Sequence, residues 1–188
     1  MQITKQSLEP YMKDYPKVLV GSLRIFQQKL PSLMGLFLDL KKSGGTVYVM
    51  GNGGSSSTAS HFVNDLVKIC GIKAVCLTDN TPLLTAYAND LDYSQVFVER
   101  LRPVLRRNDL VVGISTSGRS RNVLKALKYA GKIGAFRLGF TGGNGGDLKD
   151  LVDLCLIVPS ENTQRIEDIH LIFCHLIALM LKEGAKID

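Results

Sequence analysis

The feature that most constrains the fold is an alternation of short apolar runs with helical patterns, which begins at residue 46. Strands that alternate with helices form a parallel sheet covered on both faces, so the pattern predicts an α/β fold. The predicted strands are Thr46–Met50, Ala74–Thr78, Leu110–Ile114, Phe136–Thr141 and Leu154–Val158. The predicted helical segments are Ser56–Cys70, Pro82–Ala88 with Tyr93–Leu105, Asn122–Lys132, Gly146–Leu151 and Asn162–Lys182. Ligands of such sheets bind at the carboxyl ends of the strands.

Two helices are predicted before the first strand, over residues 3–15 and 17–42, where apolar residues recur at three- and four-residue steps. Pro16 and Pro31 are expected to start or bend them. Because this pair precedes the first strand, it cannot be a crossover, and residues 1–44 are expected to pack on the sheet and on sister subunits. Since the chain has no repeat or linker, residues 1–188 are predicted to form one domain.

Charge and cysteine content narrow the function classes. The net charge of +6 is spread along the chain without a basic run that carries aromatics, which argues against nucleic-acid binding. The four cysteines show no CxxC spacing and are expected to be free thiols in a reducing compartment. The longest apolar run, near Leu171–Leu181, is too short to span a bilayer, and the N-terminus does not resemble a signal peptide. A cytoplasmic location is therefore predicted.

Polar loops follow several predicted strands. Gly51–Thr58 combines glycines with a run of hydroxyl residues at the start of a helix, which suits a phosphate. Ser115–Arg121 offers a second hydroxyl cluster at the start of another helix. Thr141–Gly146 lacks such a cluster and is interpreted as a turn. The chain has neither a Walker A lysine pattern nor GxGxxG, so no nucleotide cofactor is expected.

Acid–base or metal chemistry is expected from the helices after the first and last strands. His61 and Asp65 are four residues apart and share a face, and Glu167 and His175 lie roughly 80° apart around the last helix. Two imidazoles and two carboxylates suit either a divalent metal or proton transfer. Spacing alone favours the alternative, in which His61 is a packed helix residue and His175 a core histidine. His170 lies roughly 140° from His175, so both cannot easily face one site.

Together these motifs resemble the sugar isomerase (SIS) domain family, and within it the phosphoheptose isomerases. The resemblance covers about residues 15–182 and lies in Gly51–Ser55, His61–Phe62, Ala88–Asp90, Gly113–Gly118 with Ser120, Thr141–Gly142, and Arg165–Ile166 with His170 and His175. It implies a five-stranded parallel sheet between helical layers, a three-layer, flavodoxin-like sandwich. It also implies a homotetramer whose sites are shared between subunits.

The resemblance further implies roles for individual residues. The sugar would be lined by Asn52, Gly53, Gly54 and Ser55, with Asn89, Asp90 and Glu167 nearby. The phosphate would be held by Ser115, Thr116, Ser117 and Ser120. One zinc ion per site would be bound by His61, Asp65, Glu167 and His175. Accordingly, the Ser115–Ser120 loop replaces Gly51–Thr58 as the expected phosphate site, and the first loop is assigned to the sugar.

Two positions depart from the family pattern. Asp65 stands where the family has Glu, and Glu167 where it has Gln. Because Asp65 is one methylene shorter than Glu, its carboxylate can lie out of reach of the proton that a base must remove. Glu167 adds a negative charge, which favours binding of a cation. Two functions stay open. The first is an aldose–ketose isomerase that converts sedoheptulose 7-phosphate to D-glycero-D-manno-heptose 7-phosphate, in which Asp65 moves a proton between C1 and C2 through an enediol and His175 serves the carbonyl oxygen. The second is a non-catalytic SIS module that binds a phosphosugar or a protein partner.

Overall fold

The computed structural model describes residues 5–184, which are built around one five-stranded sheet. The helices are α1 (Lys5–Ser43), α2 (Gly54–Lys68), α3 (Thr81–Asp90), α4 (Val96–Leu101), α5 (Arg121–Ile133) and α6 (Thr163–Gly184). The strands are β1 (Val47–Gly51), β2 (Ala74–Cys76), β3 (Leu110–Ile114), β4 (Phe136–Gly142) and β5 (Leu154–Val158). Short 3₁₀ helices occupy Tyr93–Gln95 and Leu148–Asp150. Every neighbouring pair of strands is parallel, which confirms the predicted α/β sheet.

The strand order, β2-β1-β3-β4-β5, determines where a ligand can bind. The chain winds one way from β1 to β2 and the other way from β3 to β5, so the topological switch point lies between β1 and β3. In sheets of this order, ligands occupy the crevice at that point, beyond the carboxyl ends of the strands. Gly51 at the end of β1 pairs with Ile114 at the end of β3. The loops that follow these two strands therefore emerge side by side.

Two hydrophobic layers cover the sheet. Alternate side chains of a strand point to opposite faces, so Val47 and Val49 pack toward α1, α2 and α6, whereas Tyr48 and Met50 pack toward α4 and α5. The first layer is rich in buried aromatic rings, namely Phe26, Phe37, Phe62, Phe140 and Phe173. Its rings bring α2 and α6 together on one side of the sheet, and these are the helices with the candidate catalytic side chains.

The prediction of two N-terminal helices is wrong, because the described chain forms one continuous helix over Lys5–Ser43 (residues 3 and 4 lie outside the described range). Pro10, Pro16 and Pro31 are all inside it and all exposed. A proline costs the helix the hydrogen bond to the carbonyl four residues earlier. On an exposed face water can satisfy that carbonyl, while the opposite face stays anchored by packing such as the stacking of Phe26 on Phe173, with ring centroids 5.7 Å apart.

The predicted boundaries elsewhere agree with the structure to within a few residues, with one larger difference. The helix expected over Tyr93–Leu105 is a 3₁₀ turn followed by the short α4, which ends at Leu101. Arg102 is still in the helical conformation, but Pro103 has no N–H to donate to the Glu99 carbonyl, so the α-helical hydrogen-bond ladder is interrupted there. Within residues 5–184, every helix is too short or too polar to be a candidate for crossing a membrane.

Candidate functional site

Three candidate side chains meet between α2 and α6. The Nε2 atoms of His61 and His175 are 3.0 Å apart, and the His61 Nε2 lies 3.5 Å from the Asp65 Oδ2. The metal-ligating atoms of all three residues fall within 4.8 Å of one another. Asp65 is buried, whereas both imidazoles are exposed. The cluster therefore consists of a buried carboxylate and two exposed imidazoles that a ligand can reach.

Local sequence explains this cluster. The chain leaves β1 at Gly51 and turns through Gly53, whose φ of +54° favours glycine, so that α2 can begin at Gly54. The four-residue spacing then places His61 and Asp65 on one helical face. On that helix Phe62 points into the core, where it lies 6.2 Å from Phe37 between ring centroids. With Phe62 packed inward, His61 is left at the surface facing α6.

The donor set fits a zinc ion. Two imidazoles and one carboxylate with an open fourth position are typical of catalytic zinc sites. Two nitrogens bound to zinc at about 2.1 Å in a tetrahedral site lie about 3.4 Å apart, close to the spacing of the two imidazole nitrogens here. Without a metal, one Nε2 of the pair must carry a proton and the other must accept it. The same three residues are therefore arranged for either metal binding or proton transfer.

Glu167, the fourth expected ligand, is not in this group. Among residues 5–184, the candidate metal ligands that come together are His61, Asp65 and His175. The Glu167 carboxylate lies instead over the first turn of α2, where a Cβ added to Gly54 would be 2.6 Å from each of its oxygens. More than two helical turns separate Glu167 from His175, and its side chain is directed to Gly54 at the start of α2.

The loop after β3 is a compact hydroxyl-bearing turn. Ser115 is buried and its Oγ lies 3.0 Å from the Oγ of Ser120, the N-cap residue of α5. The Ser120 side chain makes no capping hydrogen bond within the described structure, so it leaves the N–H groups of Arg121 and Asn122 open, whereas the Val123 N–H donates to Asn122 Oδ1. A helix start with free N–H groups and nearby hydroxyls suits a phosphate.

The loop after β4 is hydrogen-bonded to the Ser115–Ser120 loop. The Gly142 N–H donates to the Thr116 carbonyl and the Leu148 N–H to the Gly118 carbonyl, both at 3.0 Å. Gly118 adopts a φ of +65°, and a Cβ there would run into the backbone of Gly145. The turn predicted within Thr141–Gly146 begins at Gly143, because Thr141 and Gly142 are the last residues of β4, and it supports the Ser115–Ser120 loop.

Asn52 lies at the centre of a small polar network. Its side chain exchanges two hydrogen bonds with the buried amide of Asn122 and accepts a third from the hydroxyl of Tyr93. These side chains border a cleft of about 320 Å³, which is also lined by Asp92, Ser94, Ser120 and Arg121. The sequence analysis missed Asn122 and Tyr93. A signal for Asn122 did exist, since it is a polar residue on the apolar face of α5.

The remaining predicted residues are at the edge of the site. Asn89 and Asp90 end α3 and are exposed, and the Asn89 Nδ2 donates to the Asp90 Oδ1 at 2.9 Å. In the described structure neither is hydrogen-bonded to Asn52 or to the histidines. Ser55 is buried beneath the first turn of α2, and Ser117 is exposed, with its Oγ accepting the Arg119 N–H at 3.2 Å.

The core histidine of α6 is His170 rather than His175. His170 is completely buried, and its Nε2 lies 3.2 Å from the Thr141 carbonyl at the end of β4. Burial lowers the pKa of His170 to about 4, so the ring is neutral and donates to that carbonyl. This bond ties α6 to the loop that supports Ser115–Ser120. Cys174 is buried beside it, and burial raises the pKa of its thiol.

Comparison with known proteins identifies the family of this chain. Residues 18–142 match the model of the SIS domain family. A phosphoheptose isomerase of Helicobacter pylori strain P12 is 37% identical over 168 residues, which cover 87% of this chain and 88% of that protein.

Two solved structures are similar over nearly the whole chain. The phosphoheptose isomerase of Neisseria gonorrhoeae superposes with a TM-score of 0.89 at 29% identity, covering 95% of this chain and 98% of that one. The phosphoheptose isomerase of Francisella tularensis superposes with a TM-score of 0.91 at 25% identity, covering 97% of this chain and 100% of that one. Because both the family match and the identity extend over most of the chain, this protein belongs to the SIS domain family, in the branch of the phosphoheptose isomerases.

Proposed function

We propose that this chain is a phosphoheptose isomerase, which converts sedoheptulose 7-phosphate to D-glycero-D-manno-heptose 7-phosphate. The observation that carries the proposal is the His61–Asp65–His175 cluster between α2 and α6, in a chain whose relatives have that name. An aldose–ketose isomerisation needs a base to move a proton between two neighbouring carbons and an acid to serve the carbonyl oxygen. A carboxylate and an imidazole within one cluster supply both.

In this mechanism Asp65 takes the proton from one carbon of the sugar and returns it to the neighbouring carbon through an enediol. His175, exposed on the opposite helix, exchanges a proton with the substrate oxygen. His61 lies between them, 3.5 Å from the Asp65 carboxylate and 3.0 Å from the His175 ring, and can pass a proton between the two. A zinc ion held by His61, Asp65 and His175 would act as a Lewis acid on the substrate oxygens.

Substrate binding is divided between the two loops at the switch point. Ser115, Thr116, Ser117 and Ser120 are proposed to hold the phosphate, with the first turn of α5 contributing its N–H groups. Sugar contacts are proposed for Asn52, Gly53, Gly54, Ser55, Asn89, Asp90 and Glu167. The adjacent ends of β1 and β3 support this division, because they place the two loops side by side.

We further propose a homotetramer of single-domain subunits, each formed by residues 1–188, with sites shared between subunits. Support comes from α3, which carries Asn89 and Asp90 and has no buried residue in the described chain. Its apolar side chains include Leu83, which is exposed and could be covered by a second subunit. The proposed location is the cytoplasm, in keeping with four cysteines that are free in the described structure.

The experiment is turnover of sedoheptulose 7-phosphate by the purified protein, followed by proton NMR, with and without added zinc. We expect the heptose 7-phosphate to form, and Asp65→Asn to reduce kcat roughly 10²- to 10⁴-fold, the usual contribution of a general base. Asp150→Asn, the same change at an exposed position of a 3₁₀ helix, is the control that keeps full activity.

Absence of turnover under both conditions, with binding of the sugar phosphate retained in calorimetry, would contradict the proposal. That outcome would favour the non-catalytic SIS module, for which Asp65 in place of Glu is the specific argument. Loss of both turnover and binding would argue against a phosphoheptose ligand altogether.

A further inference from the structure

The amide of Asn52 is held on two sides by residues without an assigned role. Asn52 Nδ2 donates to Asn122 Oδ1 at 3.0 Å, and Asn122 Nδ2 donates to Asn52 Oδ1 at 2.8 Å. The Tyr93 hydroxyl donates to the same Asn52 Oδ1 at 3.0 Å. Asn122 is buried at the start of α5, only 3% exposed, whereas Tyr93 reaches in from the surface at the rim of the cleft.

The orientation of both amides follows from one backbone contact. The oxygen and nitrogen of an Asn side chain are distinguished by their hydrogen-bond partners. The Val123 N–H, which can only donate, points at the Asn122 Oδ1 at 2.9 Å, so this atom must be the oxygen. The Asn52 atom facing it must then be the nitrogen, and the Asn52 atom facing Asn122 Nδ2 must be the oxygen.

The consequence is an amide that can only donate to a ligand. A carbonyl oxygen has two lone pairs, and both on Asn52 Oδ1 are occupied, one by Asn122 and one by Tyr93. On the Asn52 nitrogen, one hydrogen is used by Asn122, and the other has no acceptor among residues 5–184. A residue that usually both donates and accepts is thereby restricted to a single donor.

We propose that Asn122 and Tyr93 are positioning residues that turn Asn52 into a donor-only contact, which selects an oxygen acceptor on the sugar chain of the substrate. The inference rests on the proposed function for the identity of the sugar. The restriction of Asn52 itself depends only on the three side chains and on the Val123 N–H that orients Asn122. It predicts that Tyr93 and Asn122 act on sugar binding through Asn52, and that the phosphate contacts are unaffected.

The test is a double-mutant cycle between Tyr93 and Asn52. Tyr93→Phe removes only the hydroxyl, and we expect it to raise KM for sedoheptulose 7-phosphate about fivefold, the factor of one neutral hydrogen bond, with kcat retained. In an Asn52→Ala background the same change should have no further effect. Inhibition by inorganic phosphate, which reports on the Ser115–Ser120 loop, should stay unchanged. Tyr129→Phe, the same change on α5 at a tyrosine outside the Asn52 network, is the control and should leave KM unchanged.

A second measurement needs no substrate. We expect Tyr93→Phe and Asn122→Ala each to lower Tm in the wild-type background and to have a smaller effect when Asn52 is Ala. Equal and additive Tm shifts in both backgrounds, or an undiminished KM effect of Tyr93→Phe without Asn52, would overturn the proposal. If the wild type does not turn over sedoheptulose 7-phosphate but the Tm shifts couple, the proposed function fails and the restriction of Asn52 stands.

Discussion

Replacing Gly118 by alanine is expected to damage the phosphate loop through a backbone clash. Gly118 has a φ of +65°, and its added Cβ would press on the Gly145 carbonyl, with the Gly145 carbon at 2.8 Å and the Thr141 Oγ1 at 2.9 Å. A left-handed conformation costs an alanine roughly 1–2 kcal/mol. Forcing an extra carbon into packed backbone adds roughly 1–3 kcal/mol, because neither loop can yield without breaking its hydrogen bonds.

Gly44 provides a matched control. Its φ of +69° is nearly the same, but no described heavy atom lies within 4 Å of an added Cβ. Gly44→Ala therefore carries the conformational cost alone, about 1–2 kcal/mol. The difference in the free energy of unfolding between the two variants, measured by urea denaturation, isolates the clash and is expected to be about 1–3 kcal/mol.

Calorimetry with inorganic phosphate provides the functional half of this test. We expect Gly118→Ala to weaken phosphate binding, because the turn that carries Ser115 and Ser120 must shift, and Gly44→Ala to leave it unchanged. Equal destabilisation by both substitutions, together with wild-type phosphate affinity in Gly118→Ala, would refute the argument that the loop after β4 shapes this site.

Two further predictions concern the packing between α6 and the rest of the fold. Because burial lowers the pKa of His170 to about 4, its unfolded form takes up a proton near pH 6.5 while the folded form does not. The contribution of His170 to the free energy of unfolding should therefore fall by about 3 kcal/mol between pH 6.5 and 4, and His170→Gln should remove that part of the slope in urea titrations across the range. Phe26→Ala, which removes the ring stacked on Phe173, should cost about 3–5 kcal/mol by urea denaturation, whereas Phe136→Ala, at an exposed position, should cost far less. A similar loss for both Phe variants would show that α1 is not held by this contact.

The strands could be predicted from sequence because their signal is local. A short apolar run such as Leu110–Ile114, bounded by polar residues, is typical of a buried strand. Its predicted limits match those of β3 in the structure. The N-terminal helix was predicted as two helices because each proline was interpreted from its neighbours in the sequence alone. Whether a proline breaks a helix depends on which face it occupies, and that is decided by packing of the opposite face.

The candidate site could be predicted in part for the same reason. The four-residue spacing of His61 and Asp65 is a property of one helix, so their shared face could be read from the sequence. The partnership with His175 spans 114 residues, was suggested by residue type and favoured by the resemblance, and depends on how α2 and α6 pack. The position of Glu167 over Gly54 was not predicted, because it is a contact between two helices whose relative position no local pattern encodes.

By itself, the sequence determined the alternating elements, the hydroxyl loops at the strand ends and the side chains able to do acid–base chemistry. These follow from periodicity, turn chemistry and residue type, which act over a few neighbouring positions. Only the tertiary structure decided which histidine of α6 joins His61 and Asp65, which histidine is buried and neutral, and how Asn122 and Tyr93 orient Asn52. The physical reason is that hydrogen bonds and burial depend on distances across the sheet and between helices, which arise when the whole chain packs.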